Sequence, residues 1–307
     1  MRYSRISKRR RQRNHARIAV LGLVLFIIIY VVSAGAIGKY LSGIIAPKLG
    51  GMDEDKENVS LGEKLKDDDN NIGTDNNGSK TNKSGDKEIK KITKNIEIAP
   101  FTIYTIQMAA FSTEANAQEF ASTIQSRGGA GYIVDDKYFR VLAVGYIDEN
   151  DINKVKSQLE ANDIKCEIYK MSCPGANMEV TASKEKVDGV NAAFSLWQEK
   201  LKELENIVKD LDNKDITGEV ACERLKGIKL EMEETLTRLS DYKAAEGSSD
   251  VLTGLEDIYK LGIESFEELL GVSDVNGVVF SSKIKYTYIN MASIYKSYMD
   301  ALVKKRE

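Results

Sequence analysis

Between residues 101 and 171 the apolar positions follow one short pattern after another. Tyr104, Ile106 and Met108 alternate with Ile103, Thr105 and Gln107, the period of a strand with one buried face. Thr113 to Arg127 then carries Ala117, Phe120, Ala121 and Ile124 at helical spacing, with Ser112 or Thr113 placed to cap the first turn and Gly128-Gly129 placed to end the last. Strands are predicted over Ala130 to Val134 and Tyr138 to Val144, joined by a turn at Asp135-Asp136. A helix from about Asp148 to Asn162 carries Ile152, Val155 and Leu159, and a fourth strand spans roughly Ile164 to Lys170. The order is βαββαβ.

Beyond it the pattern is helical. Met171 to Glu179, with Cys173-Pro174-Gly175, reads as a linker or turn. Val190, Phe194, Trp197, Leu201, Leu204, Val208 and Leu211 step by four and three in turn, a heptad-type seam. Ala221, Leu225, Ile228, Met232, Thr235, Leu239 and Tyr242 repeat that spacing behind a cap at Thr217 or Asp215. A shorter helix is expected from Asp250 to Leu270, ended by Gly271, and a last one from about Ser281 to Val303, with Ile284, Tyr288, Met291, Tyr295, Tyr298 and Leu302 in register. Short polar turns at Asp212 to Lys214 and Gly247 to Ser249 favour a compact antiparallel bundle within one chain; dimerisation through the two seams is the competing reading. The last helix's tyrosines fit either a groove or, as is commoner, a core with wet hydroxyls.

The N-terminal pattern is of a third kind. Ile18 to Gly38 holds no charged residue, and at 1.5 Å per residue it covers about 30 Å, the thickness of a bilayer core. Eight Lys and Arg in residues 1–17 place that side in the cytoplasm and the rest of the chain outside. Ala34-Gly35-Ala36 resembles a cleavage site, so a cleaved signal peptide competes with an uncleaved anchor; the long basic head and long apolar run favour the anchor. Residues 39–99 are dominated by Asp, Asn, Lys, Gly and Ser, with too few aliphatics to offset the entropy of ordering, and are read as a disordered extracytoplasmic tether.

Composition narrows the chemistry. The net charge of -3 over 307 residues hides a basic head on an acidic remainder. That head sits against the apolar run, which makes it a topological signal and not a nucleic-acid site. His15, the single histidine, lies in the head, so the outer region has none for a zinc site, a hydrolytic triad or a Cys-His pair. No P-loop or dinucleotide turn occurs, and no metal, cofactor or catalytic residue is assigned. Cys166, Cys173 and Cys222 are an odd number, so at least one is unpaired.

One sheet face carries a usable mixture. Alternation sets Tyr138, Arg140 and Leu142 on one side of their strand, where they can share a face with Thr105 and Gln107. Gln donates and accepts to hydroxyls and acetamides, Arg presents a planar fork to a carboxylate, and Tyr gives a flat surface for a sugar ring. The bland alternative is a solvated Arg140 and an edge-filling Gln107.

The strand ending in Gln107 and Phe111, the helix start at Asn116-Ala117, and Arg140-Val141-Leu142-Ala143-Val144-Gly145 together resemble the SPOR domain, a bacterial module that binds septal peptidoglycan stripped of its stem peptides. In that family a Gln of the first strand and an Arg of the third lie on the open sheet face, and they fall on Gln107 and Arg140. An aromatic residue two positions before the Arg falls on Tyr138. A hydroxyl residue often found three positions after the Gln is here Ala110, so one contact is missing.

The chain is therefore expected to be α+β: a SPOR-like βαββαβ module of the RNP or ferredoxin-like kind at 100–171, an all-α antiparallel bundle at 182–305, and a single transmembrane helix at 18–38 before both. With the apolar anchor, the resemblance implies a non-enzymatic membrane protein that binds denuded glycan strands at a division or sporulation septum through Gln107, Tyr138 and Arg140, to which strand alternation adds Thr105 and Leu142. The bundle would engage a septal protein partner, and no nucleic acid is expected. A wall hydrolase with a catalytic carboxylate in the bundle is the alternative.

Overall fold

The structure, a computed structural model, describes residues 90–305; the basic head, the apolar stretch Ile18 to Gly38 and the tether as far as residue 89 lie outside the described residues. In chain order the elements are β1 (Lys91–Ile98), β2 (Phe101–Phe111), α1 (Glu114–Gln125), β3 (Tyr132–Asp135), β4 (Phe139–Tyr146), α2 (Glu149–Glu160), β5 (Glu167–Cys173), β6 (Ala176–Ser183), α3 (Lys184–Asn213), α4 (Gly218–Glu246), α5 (Asp250–Leu270) and α6 (Val278–Lys304). No helix among the described residues is long and apolar enough to cross a membrane.

Strand β1 overturns part of the tether, and β6 overturns part of the linker. The two pair antiparallel from Lys91↔Ser183 to Ile98↔Ala176. Ile96 and Ile98, two positions apart, are buried together with Met178 and Ala182 of the partner strand. Fully burying such a side chain is worth about 1.5–3 kcal/mol. The ribbon lies on α3, which supplies the apolar surface that an isolated strand lacks. Pro174-Gly175 is thus a tight turn between β5 and β6, not the centre of a linker.

The second sheet has the order β3-β4-β2-β5, antiparallel throughout. Helices α1 and α2 pack on β2 and β4, burying Ala117, Ala121, Ile124, Ile152, Val155 and Leu159. Asp148 caps α2, its carboxylate accepting from the Asn150 amide at 2.8 Å. Gly128, at φ +84, turns the chain out of α1 in a conformation that favours glycine.

The four C-terminal helices form from the predicted seams, with Ser183, Thr217 and Ser249 as side-chain caps of α3, α4 and α5. Trp197 sits at their centre with Tyr259 edge-on at 5.3 Å and Tyr295 stacked at 6.0 Å.

This helical region is not a detached module. Helix α6 lies across β3, β4 and β5 on the sheet face away from α1 and α2. Ser282 donates to the Gly129 carbonyl at 2.8 Å, Lys285 to the Gly128 carbonyl at 2.9 Å, and Tyr286 meets the Tyr132 ring at 5.1 Å. At the far end Tyr295 meets Phe101 at 5.6 Å. Of the tyrosine stripe, Tyr288 and Tyr295 are core residues, while Tyr286 and Tyr298 are half-buried. Sheet and helices thus share one continuous core.

Candidate functional site

The site is built on an irregular strand pair. Between Ile106↔Val144 and Gln107↔Leu142 strand β4 holds one unmatched residue, Ala143; between Gln107↔Leu142 and Ala109↔Val141 strand β2 holds one, Met108. Extra residues of this kind bend a strand and re-aim its side chains. Ala143 consequently faces the α1 side, 3.4 Å from where a Cβ on Gly129 would sit, whereas Gly145 faces Thr105 and Tyr288. Gln107, held between the two shifts, turns toward Arg140.

Arg140 is the centre of the resulting cluster. Its Nε donates to both carboxylate oxygens of Asp136, at 3.1 and 2.8 Å, and its Nη1 donates to Oε1 of Gln107 at 2.8 Å. The guanidinium carbon lies 5.4 Å from the Tyr169 ring centroid and 5.8 Å from that of Tyr138. Of the five N–H groups of an Arg, Nη2 and one hydrogen of Nη1 have no protein partner among the described residues. The side chain is 22% exposed, so part of this oriented, cationic side chain reaches solvent.

Asp136 sets that orientation from the turn. It accepts the Tyr138 amide at 3.0 Å, and this bond, followed by the one from Arg140, holds its carboxyl below the usual carboxylate range. The Tyr169 hydroxyl is pushed up, first by burial and then by the Asp136 charge, while Arg140 and Lys296 oppose the rise.

The residues assigned from sequence separate into two groups. Gln107 and Arg140 are bonded to each other, with Gln107 itself buried at 8% exposure behind the guanidinium, and Tyr138, 41% exposed, stands at the rim just before β4. Thr105 and Leu142 are corrected: both are buried completely. Thr105 donates to the Tyr169 carbonyl at 2.9 Å, and Leu142 lies in register between Gln107 and Tyr132 on the face that α6 covers. Neither side chain reaches a ligand in solvent.

Two members were missed. Asp136 read only as a turn residue, although a carboxylate four positions before an Arg at a hairpin is a usable signal. Tyr169 becomes visible only once β5 is placed opposite Thr105. Elsewhere, two buried carboxylates of the helical region, Glu205 and Glu256, are tied down. Glu205 accepts from the Ile147 amide and the Tyr288 hydroxyl, each at 2.9 Å. Glu256, bonded to Lys243 and Ser240, is held below the usual range, the reverse of what a general acid needs.

An antiparallel sheet with two helices on one side thus carries an oriented Arg, backed by a buried Gln and flanked by an exposed Tyr, at one corner. Residues 100–170 match the SPOR domain family, and this quarter of the chain is a SPOR domain, a peptidoglycan-binding module. No curated protein and no solved structure matches the chain.

Proposed function

We propose that this chain is a single-pass membrane protein that binds denuded septal peptidoglycan, through the corner formed by Gln107, Tyr138 and Arg140, at a sporulation or division septum. The observation that carries the reading is the oriented fork of Arg140, with N–H groups to spare, between two tyrosine rings. Removing a stem peptide exposes a lactyl carboxylate, the planar acceptor that such a fork fits, and the Tyr138 ring offers a flat surface to the adjoining sugar. The charge-free stretch from Ile18 to Gly38 behind a basic head supports an anchor with the SPOR domain outside the cell. The order of head, apolar stretch, polar run, SPOR domain and further region resembles stage II sporulation protein B, which supports the sporulation septum. The outer surface of the helical region would meet a septal partner.

The test is sedimentation of residues 90–305, which hold the whole described core, with sacculi trimmed by an amidase. Arg140→Ala is expected to weaken binding about ten- to hundredfold, the equivalent of a charge-assisted contact of about 1.5–3 kcal/mol, with an unchanged circular dichroism spectrum. Binding equal to that of the parent would overturn the site.

A further inference from the structure

We propose that Lys137, at the tip of the hairpin between β3 and β4, is a second cation of this ligand corner and makes the Tyr138 ring a platform for carboxylated sugars in preference to neutral ones. The inference rests on the reading of Arg140 just given and extends it to a residue that strand alternation does not select.

The turn places this lysine. Strand β3 ends at Asp135 and β4 begins at Phe139, so Asp136, Lys137 and Tyr138 form the connection. Two bonds close it: the Asp136 amide donates to the Tyr138 carbonyl at 3.2 Å, and the Tyr138 amide donates to the Asp136 carboxylate at 3.0 Å. Alternation would send Lys137 and Tyr138 to opposite faces, but it governs strands and not turns. The Lys137 ammonium lies 5.5 Å from the centroid of the Tyr138 ring, and the Arg140 guanidinium carbon lies 5.8 Å from the same point. One exposed ring therefore has two cations beside it, each within the range of a cation–π contact.

The two are held differently. Arg140 is fixed by Asp136 and Gln107. Lys137 is exposed and enters no ion pair among the described residues; of the two acids of the hairpin, Asp136 is occupied by Arg140 and the Tyr138 amide, and Asp135 is exposed to solvent. Its ammonium thus keeps donors for a ligand. A guanidinium presents a planar fork and fixes the plane of one carboxylate, whereas an ammonium is a compact point charge that accepts a carboxylate from many directions. Denuded glycan carries a lactyl carboxylate on every second sugar. A sugar laid on the Tyr138 ring brings such a group toward one cation or the other, and a neutral glycan brings none.

The experiment compares Lys137→Ala, Lys137→Arg, Arg140→Ala and, as a control, Lys202→Ala in residues 90–305, by sedimentation with amidase-trimmed sacculi and with the same material methyl-esterified at its carboxylates. Lys202 is an exposed lysine of α3, outside the SPOR domain. Lys137→Ala is expected to bind trimmed sacculi about two- to fivefold more weakly at low salt, with the difference shrinking as salt screens an exposed charge, and Lys137→Arg should stay close to the parent. Lys202→Ala should bind as the parent does, and on the esterified material parent and Lys137→Ala should bind alike. Unchanged binding by Lys137→Ala, with Arg140→Ala defective, would overturn the second cation and leave the site standing. Unchanged binding by both would overturn the site itself. An equal loss in Lys202→Ala, or a loss by Lys137→Ala that persists on esterified sacculi, would also overturn the second cation, because net charge or packing on Tyr138 would then account for it.

Discussion

Arg140 donates through Nη1 to the side-chain oxygen of Gln107 at 2.8 Å, across a strand pair whose register shifts on both sides of Gln107. The bond fixes the plane of the guanidinium, and the amide adds no charge. Gln107→Glu would keep the shape and convert the contact into an ion pair, adding a negative charge beside the ligand's carboxylate. Binding to trimmed sacculi is expected to fall about five- to tenfold while the urea midpoint stays near the parent's. Tighter binding by Gln107→Glu would show that this face does not receive an anion.

The fork itself is the second target. Arg140→Lys keeps the charge but has three donors on one nitrogen, so it cannot reach Asp136 and Gln107 from two nitrogens and still present a planar fork. It should lose most of what Arg140→Ala loses, as read by sacculus sedimentation. Full rescue by Lys would mean that charge alone is recognised.

Gly145 tests the cover on the sheet. A Cβ there would meet Thr105 Cγ2 at 3.0 Å, Ile103 Cγ2 at 3.2 Å and the Tyr288 ring at 3.4 Å. In an uncovered strand Gly→Val is favoured by β-propensity. Beneath α6 it overpacks, and Gly145→Val is expected to destabilise by about 1–3 kcal/mol in denaturant unfolding. A stabilised variant would remove α6 from this face.

Lys285 and Asp212, paired at 2.7 Å with both side chains nearly fully buried, join α6 to the end of α3. Asp212 Oδ2 has no hydrogen-bond partner among the described residues and Oδ1 has, besides Lys285, the Ser281 hydroxyl at 3.3 Å, so the charge of the carboxylate is balanced by this ammonium group. Lys285→Met should cost about 3–5 kcal/mol by leaving that charge uncompensated. The double variant Lys285→Met with Asp212→Leu should recover most of the loss, because two apolar side chains leave no buried charge. Urea unfolding of the three proteins measures both effects.

Alkaline pH should act through the buried tyrosines. Burial, aided by Glu205, pushes the Tyr288 hydroxyl well above its ordinary 10.0, and Tyr146, Tyr259 and Tyr295 are raised by burial as well. A hydroxyl raised on folding contributes stability that is fully present below the unfolded value near 10 and is lost as pH climbs through the folded value. Stability should therefore fall steadily above about pH 10, and absorbance titration should show these tyrosines ionising together with unfolding. Their ionisation in the native protein, before any loss of structure, would contradict the burial.

Much of the fold can be read locally. Asp148 and Thr217 cap the helices that follow them, and Gly271 ends α5 where the spacing runs out. The strands of the SPOR domain follow from alternation, and Arg140 and Gln107 stand out by residue type. Strand β1 did not, because Ile92, Ile96 and Ile98 sit in polar sequence, and their partner strand lies on the other side of the whole SPOR domain. Tyr169 and Asp136 were missed for a related reason: each acquires its role from a neighbour in space.

Periodicity, caps and turn residues determined which segments became strands and helices, since those choices depend on near neighbours and on which side of each segment is apolar. Tertiary structure alone decided which part of the sheet face stays open. Thr105 and Leu142 have the same alternation as Gln107 and Arg140, yet α6, formed from a distant part of the chain, covers the first pair and leaves Arg140 within reach of solvent. Alternation assigns a side chain to a face; only the packing of another element on that face determines whether water, or a ligand, can reach it.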